Sequence, residues 1–216
     1  MLIPLSQIVK DFDMHITGIL HVGAHTCEEL EAYQKELSLT NDDIYWVEGQ
    51  LSLVDAAKQN IPDCKIFHAV VSDVDDEKVS FSVTNNMQSS SILELDEHLK
   101  EHPHVFVTHC ESVVTTRLDT LLTREKIDMT HVNFLNLDIQ GAELLALKGL
   151  GSYLTKHIRY IYTEVNIKHL YKNCALLSDL DTFLGDAGFR RVTLKMTEHG
   201  WGDALYCKNH DAIYKI

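Results

Sequence analysis

The sequence predicts an α/β fold in which helices cover a doubly wound, mostly parallel sheet. Short apolar segments of strand type alternate with segments of helical periodicity along the chain, and this alternation is typical of parallel βαβ units. The 216 residues contain neither a Gly/Ser-rich or Pro-rich linker nor an internal repeat, and this length suits one domain. We therefore expect residues 1–216 to form a single domain.

The composition is that of a globular protein with an acidic surface. Hydrophobic residues make up 45% of the chain, and acidic residues outnumber basic ones by 32 to 19. The net charge of -13 repels a phosphate backbone, so nucleic acid is not an expected partner. No apolar segment approaches the roughly 20 residues that a membrane-spanning helix needs, so no membrane contact is expected either.

The amino terminus and the cysteines predict a cytoplasmic protein. Residues 1–6 lack the basic and apolar regions of a secretory signal. The five cysteines include no Cys-x-x-Cys pair, and their odd number fits reduced thiols better than a disulfide framework.

The first part of the chain predicts three strands separated by helices. Apolar residues at 18–22 and 44–47 indicate strands, and segment 28–37 between them has the periodicity of an amphipathic helix. A second helix is predicted around 53–57, before a third strand at 64–71. These segments form two consecutive βαβ units.

Segment 74–116 interrupts the alternation and is interpreted as an insertion-like elaboration between the third and fourth core strands. It combines period-2 segments with a polar stretch at 85–91 and a helix near 93–100. The alternation then resumes, with strands at 132–137, 158–163, 191–196 and 204–208 and helices at 140–150 and 177–187. We expect an antiparallel strand at the edge of the sheet.

Glycine, polar and acidic residues recur where the predicted strands end. In an open parallel sheet, ligands bind beyond the carboxyl ends of the strands, at the point where the strand order reverses. Five strand ends carry such residues: Gly23-Ala24-His25-Thr26-Cys27, Glu48-Gly49, Ser72-Asp73, Asp138-Ile139-Gln140-Gly141 and Glu164. We therefore expect the functional site at one edge of the sheet.

The first two strand ends have the features of an adenosine-binding site. Gly23 allows a tight turn, and the amides at the start of the next helix could bind an anionic group such as a carboxylate. Glu48 could accept hydrogen bonds from both ribose hydroxyls. Each residue alone also has a simpler explanation, because Gly23 suits an ordinary strand-helix turn and Glu48 suits a solvated carboxylate.

The first turn favours S-adenosylmethionine over a dinucleotide. Nicotinamide enzymes usually have G-x-G-x-x-G here, whereas His25 and Glu28 stand at the second and third glycine positions. These side chains would obstruct a pyrophosphate, but a zwitterionic methionine moiety tolerates acidic neighbours. A nicotinamide-dependent oxidoreductase is therefore the less favoured enzyme class.

The segment Asn136-Leu-Asp-Ile-Gln-Gly-Ala-Glu-Leu-Leu-Ala-Leu-Lys-Gly149 resembles the signature of the FkbM family of methyltransferases nearly position for position. Shorter segments that resemble this family occur at 23–27, 69–73, 117–122, 162–164 and 183–189. The resemblance implies a Rossmann-like fold of the class I methyltransferase type and S-adenosylmethionine as methyl donor. It also implies O-methylation of a hydroxyl on a sugar, glycan or small metabolite.

The resemblance implies a donor site at the strand ends. The expected cofactor-binding residues are Gly23, Ala24, His25, Thr26, Cys27, Glu48, Gly49, Ser72, Asp73, Ser90, Ser91, Asp138, Ile139, Gln140 and Glu143. Two positions depart from the family pattern. Cys27 replaces the usual second glycine, and His21 stands where many methyltransferases have an acidic residue facing the donor's amino group. Asp138 could supply that acidic contact instead.

A general base is expected because an alcohol is a poor nucleophile until its proton leaves, although alignment of the reacting atoms supplies most of the rate. The candidates for this base are Asp138, Glu164 and, with less support, His169. Asp138 also suits a helix N-cap. Glu143 could either reach the pocket or stabilise the positive end of its helix.

No metal-binding residue is assigned. Asp138, Glu164 and Asn166 could bind Mg²⁺ through oxygen ligands, but their spacing does not require a metal. His98 and His102 would share a helix face, but no second ligand pair at a suitable spacing supports a zinc site.

One aromatic residue is a candidate for contact with the acceptor. Trp201 lies in a polar segment and is a candidate for stacking on a sugar ring.

The non-enzymatic alternative is a degenerate fold retained as a binding module. Cys27 and His21 support this alternative, because both depart from the family pattern.

Overall fold

The computed structural model describes residues 1–209, and within them the predicted α/β architecture is confirmed. The strands are β1 (Ile19–Val22), β2 (Ile44–Glu48), β3 (Ile66–His68), β4 (Val70–Val71), β5 (Lys78–Thr84), β6 (Val107–Thr116), β7 (Phe134–Leu137), β8 (Tyr160–Asn166), β9 (Phe189–Met196) and β10 (Trp201–Lys208). The helices are α1 (Leu5–Asp11), α2 (Leu30–Leu37), α3 (Leu51–Asn60), α4 (His98–Glu101), α5 (Leu118–Arg124), α6 (Glu143–Gly149), α7 (Ser152–Lys156) and α8 (Leu177–Asp186). None of these helices, all within residues 1–209, is long and apolar enough to cross a membrane.

Seven strands form the main sheet in the order β3-β2-β1-β7-β8-β10-β9. Strands β1, β2, β3, β7 and β8 run parallel, whereas β10 runs antiparallel to both β8 and β9. The antiparallel strand therefore lies one position inside the edge strand β9, and not at the edge itself. All side chains of β1, β7 and β8 are buried, as expected for central strands with both faces covered.

The sheet separates two hydrophobic cores. Leu20 and Leu135 belong to one core, and their chain neighbours Ile19 and Phe134 belong to the other. This alternation follows from the two-residue period of a strand, which directs successive side chains to opposite faces.

The strand order reverses at β1, which pairs with β2 on one side and with β7 on the other. At such a position the connections that leave the two central strands diverge and open a crevice beyond their carboxyl ends. The turns that follow β1 and β7 are therefore the walls of the expected ligand site.

The predicted third strand at 64–71 is divided between two sheets. Its first part, β3, pairs with β2, and the amide of Ala69 still donates to the carbonyl of Glu48 at 3.0 Å. Its last part, β4, pairs with β6 instead, in a three-stranded sheet of order β4-β6-β5. The apolar pattern alone predicted one continuous strand, because buried apolar residues occur on both sides of the division, with Ile66 in β3 and with Val70 and Val71 in β4.

The helix predicted near 93–100 is also shorter than expected, since only α4 is helical in this segment. The preceding backbone bonds to residues 169–172 instead: the amide of Asp96 donates to the carbonyl of Leu170, and the amide of Lys172 donates to the carbonyl of Glu94. These tertiary hydrogen bonds replace the bonds that an earlier helical turn would make.

The helix predicted at 140–150 begins three residues later, at Glu143. Gln140 and Gly141 have φ angles of 58° and 96°, in the left-handed region that a right-handed helix cannot include. The loop from Asp138 to Gly141 thus stays outside α6 and is available for a functional role.

Candidate active site

A cavity of about 430 Å³ opens at the carboxyl ends of β1, β2, β7 and β8. Segment 86–92, helix α4 and the start of β10 form its other walls. Eleven of the predicted site residues line it: Gly23, Ala24, His25, Glu48, Gly49, Ser90, Ser91, Asp138, Ile139, Gln140 and Glu164. The structure therefore brings together most of the residues that the strand ends indicated.

Six predicted residues do not line this cavity: Thr26, Cys27, Ser72, Asp73, Glu143 and His169. The Thr26 hydroxyl donates to Glu28 at the protein surface, and Cys27 is buried in the core that contains Tyr33. The carbonyl of Asp73 accepts from the Arg117 guanidinium at 2.7 Å, which holds residues 72–73 beside α5. Thr26, Cys27, Ser72 and Asp73 thus shape the surroundings of the site and not its surface.

His169 also lies outside the cavity, although it was a candidate base. Its Nδ1 is 3.2 Å from the carbonyl oxygen of Cys174, and its own carbonyl accepts from the amide of Glu97. These contacts anchor the loop after β8 to α4, which is a structural role.

Gly23 is required by close backbone contact at the first turn. Its φ angle is +91°, and a Cβ atom at this position would lie 1.8 Å from the carbonyl oxygen of Asp138. The turns after β1 and β7 are therefore pressed together with no room for a side chain. The amides of Gly23 and Ala24 both donate to the carbonyl of Val47, at 2.9 and 3.1 Å.

The amides of the turn that precedes α2 have acceptors within the protein. The amides of Gly23 and Ala24 bond to Val47, and the amide of His25 donates to Glu48 Oε2 at 2.8 Å. Since these three amides already have acceptors in the protein, they are not available to a ligand carboxylate. The turn contributes shape and the orientation of Glu48.

The carboxylate of Glu48 is held in a fixed orientation at the end of β2. The side chain is only 6% exposed; Oε2 accepts from the amide of His25 and Oε1 accepts from the amide of Gln50, each at 2.8 Å. Burial raises the pKa of Glu48, and the two amide bonds oppose that rise. Each carboxylate oxygen can accept more than one hydrogen bond, so both oxygens remain able to accept from a ribose diol.

His21, which departs from the family pattern, is a neutral core residue. It is 2% exposed, its ring packs 4.7 Å from the Trp46 ring, and its Nδ1 lies 3.1 Å from the Tyr33 hydroxyl. Burial lowers the pKa of His21 to about 3. The imidazole therefore brings no positive charge that would oppose the donor's ammonium.

Asp138 and Glu164 form a pair of carboxyls joined by one amide. Gln140 Nε2 donates to Asp138 Oδ1 at 2.6 Å and to Glu164 Oε2 at 3.1 Å. Asp138 is exposed to the cavity but lies deep in the molecule, and desolvation together with the charges of Asp203 and Glu29 raises its pKa to about 6. Burial and the charge of Asp138 raise the pKa of Glu164 as well.

Tyr171 fixes the orientation of this bridging amide. The Tyr171 hydroxyl donates to Gln140 Oε1 at 2.6 Å, which turns Nε2 toward the two carboxyls. Ser91 supports the same loop, because its hydroxyl donates to the Gln140 carbonyl at 2.9 Å. Tyr171 was not among the predicted site residues, since it lies far from the motif in the chain and no local pattern marks it.

Asp203 is a second candidate that was not among the predicted site residues. It lines the cavity, is 6% exposed and stands directly opposite Glu164 in the pairing of β10 with β8. The Tyr162 hydroxyl donates to Asp203 Oδ2. A useful signal was present in the sequence, because Asp203 is an isolated carboxyl in an otherwise apolar strand that begins at Trp201. Trp201 lines the cavity too, as its polar segment suggested.

Glu143 supports the loop from Asp138 to Gly141 from the side away from the cavity. Its Oε1 accepts from the amides of Ile139 and Gly141, at 3.0 and 3.1 Å. The N-cap position of α6 is Ala142, so Asp138 is not the N-cap. Burial raises the pKa of Glu143 to about 7, and the charge of Asp138 adds to this rise.

We expect the wild type to lose stability as pH rises through 7, and we expect Glu143→Gln not to show this loss. Since the folded-state pKa of about 7 exceeds the usual value, the stabilisation from protonated Glu143 is complete below about pH 4.5 and is lost as pH rises through 7. From pH 5 to 8, the free energy of unfolding of the variant should gain about 3 kcal/mol relative to the wild type. Urea unfolding at both pH values measures this change.

Glu36→Gln, on the exposed side of α2, is the matched control and should show no such gain. A constant stability difference between Glu143→Gln and the wild type across this pH range would contradict the raised pKa.

A metal centre is not indicated by the geometry. Within residues 1–209, no three His, Cys, Asp or Glu side chains come together as ligands for one ion. Asn166, one of the three Mg²⁺ ligands considered, is fully buried and does not line the cavity. His98 and His102 do lie together, with ring centroids 4.9 Å apart.

The sheet order and the single antiparallel strand define a class I methyltransferase fold. The model of the methyltransferase FkbM domain matches residues 21–191. The chain belongs to this family, and the resemblance inferred from the motif after β7 is confirmed.

Two solved structures illustrate the shared fold. Methyltransferase FkbM from Methylobacillus flagellatus has 14% identity and a TM-score of 0.57, with 89% of this chain and 44% of that chain covered. A putative tRNA methyltransferase from Streptococcus pneumoniae has 12% identity and a TM-score of 0.51, with 96% and 71% covered. The chain thus spans less than half the length of the Methylobacillus protein. A comparison with curated proteins found no match.

Proposed function

We propose that this protein transfers a methyl group from S-adenosylmethionine to a hydroxyl of a sugar, glycan or small metabolite. The observation that carries the proposal is the Gln140-linked pair of Asp138 and Glu164 in the same cavity as Gly23 and Glu48. The carboxyl pair supplies a proton acceptor, and the other two residues suit an adenosine-containing donor. Membership in the FkbM methyltransferase family supports the assignment.

The cavity fits the donor in size and in chemistry. Its volume of about 430 Å³ lies within the range of small-molecule sites. Glu48 would accept hydrogen bonds from the ribose hydroxyls, and Asp138 and Glu29 would face the positively charged groups. When bound, S-adenosylmethionine supplies a methyl group activated by its attachment to a sulfonium.

Asp138 acts as the general base. Its carboxylate takes the proton of the acceptor hydroxyl while the new O–C bond forms and the S–C bond breaks. A pKa raised to about 6 makes this carboxylate a stronger base than an ordinary aspartate, while it is still largely ionised at neutral pH. Gln140 orients the carboxylate by donating to Oδ1.

Methyl transfer from isotopically labelled S-adenosylmethionine to a panel of hydroxyl compounds tests the proposal. We expect the label in a methyl ether, identified by mass spectrometry and NMR of the product. A product methylated only on nitrogen or carbon would contradict O-methylation. A protein that binds no donor would favour the degenerate binding module.

Tyr171→Phe tests the positioning of the base. Loss of the hydroxyl releases Gln140 Oε1, so Nε2 donates less often to Asp138 and the pKa of Asp138 rises further. We expect kcat near neutral pH to fall about tenfold, with partial recovery at higher pH. The pH profile of kcat measures this shift.

Tyr153→Phe, on α7 and outside the cavity, is the control and should leave the profile unchanged. If Tyr171→Phe lowered kcat equally at every pH, Tyr171 would have only a structural role.

A further inference from the structure

The cavity has an unusual excess of negative charge. Six acidic residues line it: Glu28, Glu29, Glu48, Asp138, Glu164 and Asp203. Of the described residues, none that lines the cavity is Lys or Arg. The amino group of Met1 is 3.8 Å from Glu29, and the amide of the next residue, Leu2, donates to Asp203 Oδ2. Phosphate or carboxylate groups on the acceptor would therefore meet more negative than positive charge.

The donor does not account for all of this charge. S-adenosylmethionine has one net positive charge, and the carboxyls nearest its expected position follow β1 and β2, among them Glu29 and Glu48. Glu164 and Asp203 belong to the other side of the cavity, on β8 and β10. If both are ionised, two buried charges lie side by side, and no Lys or Arg among the described residues lines the cavity to neutralise them, which is energetically unfavourable.

The hydrogen bonds of these two carboxyls leave part of each available to a ligand. Within the described structure, Glu164 accepts through Oε2 from Gln140, and Asp203 accepts through Oδ2 from the Tyr162 hydroxyl and from the amide of Leu2. Their other oxygens, Glu164 Oε1 and Asp203 Oδ1, can accept from a ligand that donates several hydrogen bonds. An alkylammonium group has three N–H donors and one positive charge.

His98 provides an independent indication of a ligand in this part of the cavity. It lines the cavity and is 5% exposed, and its Nδ1 has no hydrogen-bond partner among the described residues. Its ring centroid lies 5.4 Å from that of Tyr171, the residue that orients Gln140. Burial and the neighbouring His102 and His104 lower the pKa of His98 to about 4, so the neutral imidazole can accept from an N–H or O–H group.

We propose that the acceptor carries a protonated amine as well as the hydroxyl that is methylated, and that Glu164 and Asp203 bind this ammonium. His98 accepts a further hydrogen bond from the same molecule, and Asp138 remains the base. Amino sugars and amino alcohols have this combination of groups. The inference rests on the proposed methyltransferase function and specifies the substrate class of the same site.

Calorimetric titration of matched ligands into the protein saturated with S-adenosylhomocysteine tests this inference. The probes are amino sugars and amino alcohols, each with its N-acetyl and its hydroxyl counterpart, for example D-glucosamine, N-acetyl-D-glucosamine and D-glucose. We expect amine members to bind at least about tenfold more tightly than their uncharged counterparts. Acetylation keeps the sugar but removes the charge, so the comparison isolates the ammonium.

Glu164→Gln and Asp203→Asn should each weaken amine binding about tenfold, whereas Glu94→Gln, at an exposed position outside the cavity, should not. Equal or tighter binding of the N-acetyl or hydroxyl counterparts, or no binding by any amine, would overturn the inference. The ligand series on the wild type tests the preference for an ammonium group even if one variant fails to fold. Failure to bind S-adenosylhomocysteine would overturn the proposed function as well, whereas donor binding with a preference for uncharged acceptors would overturn only the inference.

Discussion

Replacing Asp138 with Asn is expected to lower kcat by about 10²–10⁴-fold, the usual contribution of a positioned general base. An amide cannot take the proton of the acceptor hydroxyl. The asparagine Oδ1 can still accept from Gln140 Nε2, as the carboxylate does at 2.6 Å. The loop should therefore keep its conformation, and the loss should appear in kcat with donor affinity reduced far less.

The pH profile distinguishes loss of a base from loss of structure. Since the pKa of Asp138 is raised to about 6 and the ionised form is the base, wild-type kcat should rise as pH increases through 6. The residual activity of Asp138→Asn should lack this rise. Asp186→Asn, an exposed position at the end of α8, is the control. A variant at Asp138 with near wild-type kcat would assign the proton transfer to another group.

Gly23→Ala is expected to destabilise the protein by about 3 kcal/mol or more and to abolish donor binding. The added Cβ would lie 1.8 Å from the carbonyl oxygen of Asp138, and the φ angle of +91° is itself unfavourable for alanine. The turn after β1 and the loop after β7 would have to separate. That movement would displace Glu48, whose orientation depends on the amide of His25.

Urea unfolding of Gly23→Ala and of Gly185→Ala gives a matched comparison. Gly185 lies in α8, and a Cβ atom there would meet nothing within 4 Å. Its substitution should not destabilise the protein and should stabilise it by at most about 0.5–1 kcal/mol, because alanine is favoured over glycine in a helix. Equal stabilities for the two variants would mean that the two turns are not in close contact.

The central strands could be predicted from the sequence because each is an apolar segment that ends in glycine or an acidic residue. The motif after β7 identified Asp138 and Gln140, and the end of β2 identified Glu48. These residues are near in the chain to the strands that position them. Strand-end position is therefore the property that made this half of the site predictable.

The other half of the site depends on contacts between distant segments. Tyr171 reaches Gln140 from a distant loop and has no local signature. Asp203 stands out as an isolated carboxyl in an apolar strand, but its place beside Glu164 depends on strand pairing. His98 reaches the cavity on a helix far shorter than its periodicity indicated, because tertiary backbone bonds replace its first turn. Glu143 was expected near the ligand, but the left-handed residues before α6 turn it behind the loop.

Calorimetric titration of S-adenosylmethionine into the wild type and Glu48→Ala tests most directly whether the strand-end residues form a donor site. We expect micromolar binding by the wild type and by the surface control Glu36→Ala. Binding should be lost in Glu48→Ala, because the ribose acceptor is removed. Absence of binding by the wild type, or equal affinity in Glu48→Ala, would contradict a donor site at the strand ends.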